Sequence, residues 1–464
     1  MKHKAKGIAV EKRGSCYYAS RVTSEWDPQK KRAQKKTLEY LGKITPDGIL
    51  PPRHKRAPQV GGIVEAGHLI FLERFIKTVA KPLEEFFPYD WQSILAAAVI
   101  KLCYREPCAR MRLRHETSIS KQFWPAAALS KNSLSALLPR VGLQWAAQRD
   151  FFRRMACEEK HMAIDLSHLF SESQNIPWLE YGHNGDEVWR PQMGVLLMWG
   201  TTTHRPGFLK LLPGAAHSAQ CLANAVGESD LQDVIVVVDK GFWSPKNVRV
   251  LEESDIHYAM ALRRNLPLAQ CVPHTKYKEF FHYRKHVQWW RTTKWEKRSI
   301  YHYLDKSLAA DEESAYLLRV EQGTATRRQY EHLKHSFGTL SIVTDTGMSA
   351  QEIYELYKER RDVEYAFDAL QNTLGADVTW MRSRESMQGY LFILFVSLHL
   401  YSQVLDHLKR KKLLGQYSVQ DILTYLSKVC VVEVNGRVYL GEVTRQTQQV
   451  IDLLEIPITK RLGL

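Results

Sequence analysis

The sequence lacks most of the short motifs that identify nucleotide-binding and hydrolytic enzymes. It contains no G-x-x-x-x-G-K-[ST], no H-E-x-x-H, no G-x-G-x-x-G and no G-x-S-x-G. These absences argue against P-loop nucleotide binding, zinc-protease chemistry, dinucleotide binding and serine hydrolysis. The single Gly-Lys pair, Gly42-Lys43, is followed by Ile44 and therefore does not form a phosphate-binding loop.

Cysteines and long apolar runs are also scarce. Seven cysteines occur, and none is spaced as C-x-x-C, so we expect reduced thiols of a cytosolic protein and neither a zinc site nor a disulfide framework. The N-terminal residues have no apolar stretch, so no secretory signal is expected. The longest apolar run, residues 390–401, is shorter than the roughly 20 residues that span a bilayer. It predicts a buried helix and no membrane partner.

Positive charge is what the chain has in excess. Lys and Arg number 65 against 50 Asp and Glu, which gives a formal net charge of +15, and residues 1–60 hold 15 of the cations and 5 of the anions. Such a field favours a polyanionic partner, with nucleic acid ahead of an acidic membrane surface. The alternative for the N-terminal part is a solvated, partly disordered arm.

The pattern of apolar residues divides the chain into segments of different predicted secondary structure. Residues 7–43 alternate as β-strands do, with a turn signal at Asp27-Pro28, and a linker rich in Pro, Gly and basic residues follows at 45–62. Residues 63–158 are helical in pattern and form either a DNA-binding module or a plain helical bundle. From residue 162 onward strands alternate with helices, and the unbroken run at 235–238 predicts a strand buried on both faces. Near the C-terminus, Asn435-Gly436 is a turn signal between two short strand candidates.

Four polar residues near position 360 share one side of a predicted helix. Ser349 begins the helix, with a Glu three residues later as in a capping box. At 100° per residue, Tyr357, Arg360, Glu364 and Gln371 fall at about 0°, 300°, 340° and 320°, within a 60° stripe beside the apolar face. The stripe therefore brings an acid, a guanidinium and a phenol to the edge of the core.

Two aspartates follow or lie within predicted strands, and they complete a set of carboxylates with Glu364. Asp165 lies in HMAIDLSHLF and Asp239 ends DVIVVVD, 74 residues later. Three carboxylates from two strands and one helix suit the hard oxygen coordination that Mg²⁺ prefers. Taken singly, each Asp is more often a turn or helix cap, and Glu364 is more often a solvated residue paired with Arg360. Their joint arrangement favours a metal site.

A second candidate surface combines basic and aromatic residues at 276–303. Trp289 and Trp290 are interleaved with Lys and Arg there, a mixture that can stack on unpaired bases while it neutralises phosphates. The alternative, which the pattern favours, is a two-stranded ribbon with one aromatic face packed inward.

These residues together resemble a known family. The spacing Tyr357-x2-Arg360-x3-Glu364-x6-Gln371 looks like the Y-(2)-R-(3)-E-(6)-K signature of DDE transposases of bacterial insertion sequences, with Gln371 in place of the final Lys. The second-Asp motif of that family is similar to Asp239-x-Gly-Phe-x-Ser-x-x-Asn, and its first-Asp motif to Asp165-x-Ser. The resemblance covers roughly residues 160–400.

The resemblance implies an α/β fold with an RNase H-like catalytic core interrupted by a strand-rich insertion. It implies that Asp165, Asp239 and Glu364 bind two Mg²⁺ ions, with Mn²⁺ expected to substitute. Tyr357, Arg360 and Gln371 are then expected to contact DNA.

The resemblance also implies a division of the chain into domains. The implied domains are a basic N-terminal segment and linker (1–62), a helical DNA-binding domain (63–160), the first part of the core (161–264), a strand-rich insertion (265–340), the second part of the core with the Glu helix (341–382) and a mainly helical C-terminal region (383–464).

The implied function is transposition of an insertion sequence. The protein would bind the terminal inverted repeats, cleave double-stranded DNA at each end and transfer the strands to target DNA, as a homodimer in a synaptic complex. Its expected location is the bacterial cytoplasm, in association with the nucleoid. The rival interpretations are a catalytically inactive or domesticated DNA-binding protein and another RNase H-like nuclease. The intact acidic residues argue against the first, and the long insertion argues against the second.

Overall fold

The computed structural model describes residues 6–52, 60–173, 175–181, 189–215, 218–229, 233–376, 378–379 and 381–459. The chain divides into two units. The first comprises Met1–Ile63, Val431–Gly441 and the terminal Leu464, and the second comprises Val64–Cys430 and Glu442–Gly463.

The strands are, in chain order, β1 Ile8–Arg13, β2 Cys16–Asp27, β3 Arg32–Thr45, β4 Gly48–Leu50, β5 Val60–Glu65, β6 His161–Ser171, β7 Gln192–Gly200, β8 Arg205–Leu212, β9 Ile235–Val238, β10 His257–Ala261, β11 Glu279–Tyr283, β12 His286–Trp295, β13 Arg298–Asp305, β14 Thr339–Thr344, β15 Val378–Thr379, β16 Cys430–Val434 and β17 Arg437–Leu440.

The helices are α1 Gly67–Phe86, α2 Trp91–Tyr104, α3 Met111–Glu116, α4 Ser120–Phe123, α5 Lys131–Leu143, α6 Trp145–Ala156, α7 Ser218–Ser229, α8 Pro245–Glu253, α9 Lys306–Glu321, α10 Arg327–Leu333, α11 Ala350–Glu359, α12 Arg361–Asp368, α13 Arg384–Arg410, α14 Val419–Ser427 and α15 Arg445–Leu453.

The first unit is built from antiparallel strands. β1 to β4 form a sheet in chain order, in which β2 and β3 make a long hairpin. Asp27 turns the hairpin, because its Oδ1 accepts hydrogen bonds from the backbone N–H groups of Gln29 and Lys30. β17, β16 and β5 form a small sheet, whose hairpin turns at Asn435 and Gly436, both with positive φ. The turn signals in the sequence are therefore confirmed at both hairpins.

The second unit is organised around a mixed sheet of ten strands. The order is β11-β12-β13-β14-β10-β9-β6-β7-β8, and β15 pairs with β6. β6, β9 and β10 run parallel to one another, whereas β7, β8 and β14 are antiparallel to their neighbours. Val236, Val237 and Val238 are fully buried, which explains why this strand shows no polar alternation.

α13 is the core helix of the second unit. Among the described residues it is the one helix long and apolar enough to cross a membrane by length and composition, and most of its apolar segment is buried inside the protein. It packs chiefly against α5 and α2. The apolar run at 390–401 therefore forms the buried helix that the sequence predicts.

The segment between the second Asp and the Glu contains both strands and helices. β11, β12 and β13 extend the main sheet through β14, but α9 and α10 follow them in a region where the sequence pattern indicated only strands and irregular structure. The reason is that Ala309 is the one fully buried residue of α9 and its other apolar residues are spread around the helix, so no single apolar stripe reveals the helical period. Its start is set by Asp305, which caps the helix.

The helix that carries Glu364 departs from a regular α-helix at two points. Its predicted capping box is confirmed, since Ser349 Oγ accepts from Glu352 N and Glu352 Oε2 accepts from Ser349 N. A turn at Arg360 separates α11 from α12, and a π-helical turn at Ala369–Thr373 ends the segment. The expectation of one uniform helix is wrong in this respect, because hydrophobic periodicity does not register a local change in helical winding.

Candidate active site

Asp165 and Asp239 are neighbours because of the register between two parallel strands. Ile164 of β6 pairs with Val238, the last residue of β9, and the residue that follows each of them in the chain is an aspartate. Adjacent strands lie about 4.8 Å apart, and residues in register project to the same side of a sheet. The sheet thus joins two carboxylates that lie 74 residues apart in the chain.

The loop after Asp239 is held by residues of the second-Asp motif. Ser244 caps α8 by accepting a hydrogen bond from the backbone N–H of Asn247. The side-chain amide of Asn247 donates in turn to the carbonyl oxygen of Phe242, at 2.7 Å. Phe242 and Asn247 are buried, so this motif gives the chain a fixed course immediately after the carboxylate.

The Glu-bearing helix faces the two aspartates through Tyr357 and Arg360. The hydroxyl of Tyr357 donates to Asp239 Oδ1 at 2.9 Å. The guanidinium of Arg360 donates to Glu364 Oε1 at 2.9 Å and to Asp165 Oδ2 at 3.4 Å. The predicted pairing of Arg360 with Glu364 is present, and the same guanidinium also reaches β6. The guanidinium also lies over the ring of Tyr357, 5.6 Å from its centre, and this contact joins the two sets of hydrogen bonds into one network.

The electrostatics of the network follow from burial. Burial raises the pKa of Asp165 to about 6, although Arg360 favours its charged form. Burial, together with the negative charge of Asp239, raises the pKa of Tyr357, so this phenol stays protonated and acts as a donor. Burial opposes the charge of Arg360, but Tyr357 and the three carboxylates hold its pKa above the usual value. Arg360 is thus the resident cation of an acidic site.

The residues present suit a divalent ion in kind. Asp165, Asp239 and Glu364 supply carboxylate oxygens, the donors that Mg²⁺ and Mn²⁺ prefer. In the part of the chain that the structure describes, no three His, Cys, Asp or Glu side chains lie close enough together to hold an ion. The guanidinium of Arg360 lies between Asp165 and Glu364 and supplies the positive charge there. The assignment of the three carboxylates as metal ligands stays a prediction.

Gln371 is directed at the strand that bears Asp165. Its side-chain amide donates to the carbonyl oxygen of His168 at 3.0 Å and to Ser167 Oγ at 3.3 Å. The π-helical turn sets this direction. The carbonyl of His168 is a partner that sequence reasoning missed, since a backbone acceptor leaves no signal in the residue pattern. Ser167 could be recognised from the sequence only as part of the first-Asp motif.

Restoring a lysine at position 371 should tighten DNA binding. We expect Gln371→Lys to add one phosphate contact and to steepen the slope of log K against log salt by about one unit. Titration of a labelled duplex at several salt concentrations measures this slope. Gln322→Lys, which adds the same charge at the exposed residue that follows α9, is the control. A slope that is unchanged in Gln371→Lys would remove Gln371 from the phosphate contacts.

Trp289 and Trp290 lie on opposite faces of β12, and each is half-buried against a different cluster. Trp290 packs edge-on against Tyr301, with ring centroids 5.9 Å apart, beside the cluster that contains Tyr303. Trp289 contacts Phe280 and has the ammonium of Lys306 over its ring at 3.9 Å. Both rings therefore have a packing role, and their contact with DNA stays a prediction.

Removing the ring of Trp290 should weaken the fold. We expect Trp290→Ala to lower the free energy of unfolding by about 2 kcal/mol, less than for a fully buried ring, because only part of the indole is covered. Denaturant unfolding followed by circular dichroism measures the change, and Trp26→Ala, at a position 64% exposed, is the control. Unchanged stability combined with weaker binding of single-stranded DNA would instead support the stacking role.

Comparison with known proteins identifies a family for the segment that contains the three carboxylates. A model of the family described as "Transposase DDE domain" matches residues 156–400, more than half of the chain, and this range includes all three carboxylates. A search of curated proteins gave no match. Among solved structures, one match is the cryo-EM structure of a piggyBac transposase synaptic complex with hairpin DNA, at 10% identity and a TM-score of 0.42. The match covers 80% of this chain and 82% of that one, and a similarity this low does not bear on function.

Proposed function

The chain belongs to the family of proteins with a transposase DDE domain, and we propose that it is an insertion-sequence transposase of the bacterial subgroup with the Y-(2)-R-(3)-E-(6)-K signature. It binds the terminal inverted repeats of its element, cleaves DNA at each end in a metal-dependent reaction and transfers the strands to target DNA. The observation that carries this proposal is the convergence of Asp165, Asp239 and Glu364 on one network inside the family-matched segment.

The proposed catalytic core is RNase H-like. Its support is a mixed sheet in which two adjacent parallel strands carry the aspartates and a helix packed nearby carries the glutamate. We propose that β11, β12, β13, α9 and α10 form the insertion between the second Asp and the Glu.

Each residue of the network has a role that its contacts support. Asp165, Asp239 and Glu364 would hold two divalent ions, which, when bound, supply Lewis-acid activation of the attacking oxygen and stabilise the leaving one. Tyr357 fixes the orientation of Asp239 through its hydrogen bond. Arg360 is positioned to pair with a DNA phosphate once it is released from Asp165 and Glu364, because a guanidinium binds phosphate as readily as carboxylate.

The DNA partner is supported by charge. The net charge of +15 is concentrated in the first 60 residues. In the first unit, Lys30, Lys31 and Arg32 are exposed where β2 turns into β3, which offers a basic tip to the phosphate backbone. We propose that this unit and the helices between residues 63 and 160 bind the element's ends. A homodimer on DNA, located in the bacterial cytoplasm with the nucleoid, completes the proposal.

Strand cleavage of the element's own end tests the proposal. Purified protein, Mg²⁺ and a labelled duplex that carries the end should yield nicked product with a free 3′-OH and then a strand-transfer product. A protein that binds this duplex but never cleaves it would support the domesticated DNA-binding alternative. Cleavage of branched DNA without preference for the element's end would support another RNase H-like nuclease.

A further inference from the structure

A pocket in the second unit gathers cationic side chains away from the carboxylate network. It is a cavity of about 440 Å³, lined by residues from α2, α5, the start of α13 and the segments beside them. Its cations are Lys101, Lys131 and Arg382, and no carboxylate lines it among the described residues. Residues in the first turns of α5 and α13 also line the pocket. The N-terminal end of a helix favours an anion.

Lys101 is the unusual member of this group. It interrupts the apolar helix α2, and only 3% of its surface is exposed. Its ammonium makes one long hydrogen bond, 3.4 Å to the carbonyl oxygen of Glu106, and lies 5.6 Å from the centre of the Tyr390 ring. Burial lowers the pKa of Lys101. A buried cation is costly unless an anion pairs with it.

The carboxylate of Glu106 does not pair with the ammonium of Lys101. The carboxylate of Glu106 is engaged by Arg110 at 3.0 Å and by Arg114 at 2.9 Å. Within the ranges that the structure describes, Lys101 forms no ion pair of its own. The ammonium also lies beside Gly375, because a β-carbon placed on that glycine would be 3.7 Å from Lys101 Nζ. The charge of Lys101 is thus held at the loop that follows the Glu-bearing helix.

The remaining lining residues indicate what kind of anion fits. Leu134, Leu138, Met381 and Tyr390 give the pocket an apolar part of its lining beside the cations, and Ser135 and Ser386 add hydroxyl groups. A phosphate alone would leave the apolar wall uncovered, whereas a nucleotide has both a charged group and an apolar ring. A cavity of this volume lies in the range of small-molecule sites.

We propose that this pocket binds a nucleotide of the DNA strand, with its phosphate on Lys101, Lys131 and Arg382 and its sugar or base on the apolar wall. The inference rests on the proposed function in naming DNA as the source of the nucleotide. Met381 and Arg382 follow β15, which pairs with Phe170 and Ser171 of β6, five and six residues beyond Asp165. The strand that bears Asp165 thus runs from the carboxylates toward a segment that lines the pocket.

Binding of a free nucleotide tests the anion site without reference to transposition. Thymidine 5′-monophosphate should raise the melting temperature of the full-length protein, and thymidine should not. Lys101→Met and the double variant Lys131→Ala/Arg382→Ala should lose this shift. Lys101→Met should also raise the melting temperature in ligand-free buffer, because it removes an unpaired buried charge, whereas a lysine that merely stabilises the fold would give the reverse. A nucleotide shift that persists in all of these variants overturns the site.

Binding of the element's end then tests the source of the nucleotide. Lys131→Ala/Arg382→Ala should flatten the slope of log K against log salt by about one unit and weaken binding roughly tenfold at 0.1 M salt. Ethylation interference along the element's end should show a phosphate whose modification weakens binding by the wild type and not by the variant. Arg328→Ala/Arg445→Ala removes the same charge from exposed positions on α10 and α15, outside the helices proposed to bind DNA, and should change neither result.

The outcomes separate this inference from the proposed function. If the nucleotide shift is lost in the variants but their DNA slope and interference pattern match the wild type, the pocket takes a free nucleotide and its assignment to DNA is overturned. If the variants weaken DNA binding while the wild type never cleaves the element's end, the pocket stands and the transposase proposal fails.

Discussion

Replacing Glu364 by glutamine should lower the rate of strand cleavage at least about a thousandfold, which corresponds to roughly 4 kcal/mol in the activation free energy. The substitution keeps the shape of the side chain and its bond to Arg360 but removes the negative charge that a divalent ion requires. Asp239→Asn should have an effect of the same order, since it removes a charge on the other side of the network. Single-turnover cleavage of a labelled duplex end measures both.

Two controls make this experiment specific. Glu355→Gln changes the same functional group on α11, where Glu355 is bonded to Gln351, and should cleave at the wild-type rate. DNA affinity without metal should be unchanged or slightly higher in Glu364→Gln, because the site loses one charge that repels phosphate. Undiminished cleavage in Glu364→Gln, with binding intact, would contradict its role as the third carboxylate.

Adding a methyl group at Gly389 should destabilise the second unit by roughly 3 kcal/mol or more. A β-carbon there would lie 2.0 Å from the carbonyl oxygen of Leu138, and one at Gly142 would lie 1.9 Å from that of Glu385. Both obstacles are backbone atoms, so α5 and α13 could accommodate the methyl group only by moving apart. Guanidinium unfolding of Gly389→Ala and Gly142→Ala, followed by circular dichroism, gives the loss.

The matched control for these glycines should change stability in the opposite direction. Gly227 lies in α7, and a β-carbon there would meet nothing within 4 Å. Gly227→Ala should therefore raise the free energy of unfolding by up to about 1 kcal/mol, because alanine is the better helix former. If Gly389→Ala were as harmless as Gly227→Ala, the close crossing of α5 and α13 would be wrong, and with it the wall that these helices give to the nucleotide pocket.

Arg360 joins the helix that bears Glu364 to the strand that bears Asp165. Its contact with Glu364 spans 4 residues of the chain, whereas its contact with Asp165 spans 195 residues. The local contact with Glu364 is an ordinary i,i+4 pair, whereas the contact with Asp165 joins the helix to the sheet. A cation held in this way neutralises part of the site's negative charge, and under the proposed function it would pair with a DNA phosphate once the carboxylates bind metal ions.

Much of the local structure could be predicted from the residue pattern. The unbroken valine run predicted the buried strand β9, the Ser349 and Glu352 pair predicted the start of α11, and Asn435-Gly436 predicted a hairpin turn. α9 could not be predicted in this way, because it is largely exposed and carries no apolar stripe. The irregular winding at Arg360 and at Ala369–Thr373 was also beyond a method that assumes a constant helical period.

The sequence by itself determined which residues are candidates for the chemistry: Asp165, Asp239 and the stripe with Glu364 follow from residue types and spacing. Only the tertiary structure decided their partners. The parallel pairing of β6 with β9 sets the two aspartates side by side, and Gln371 reaches a backbone carbonyl on β6. The charge of Lys101 is enclosed by segments far apart in the chain. Local propensity and periodicity act over a few residues, whereas register and burial are set by the packing of the whole unit.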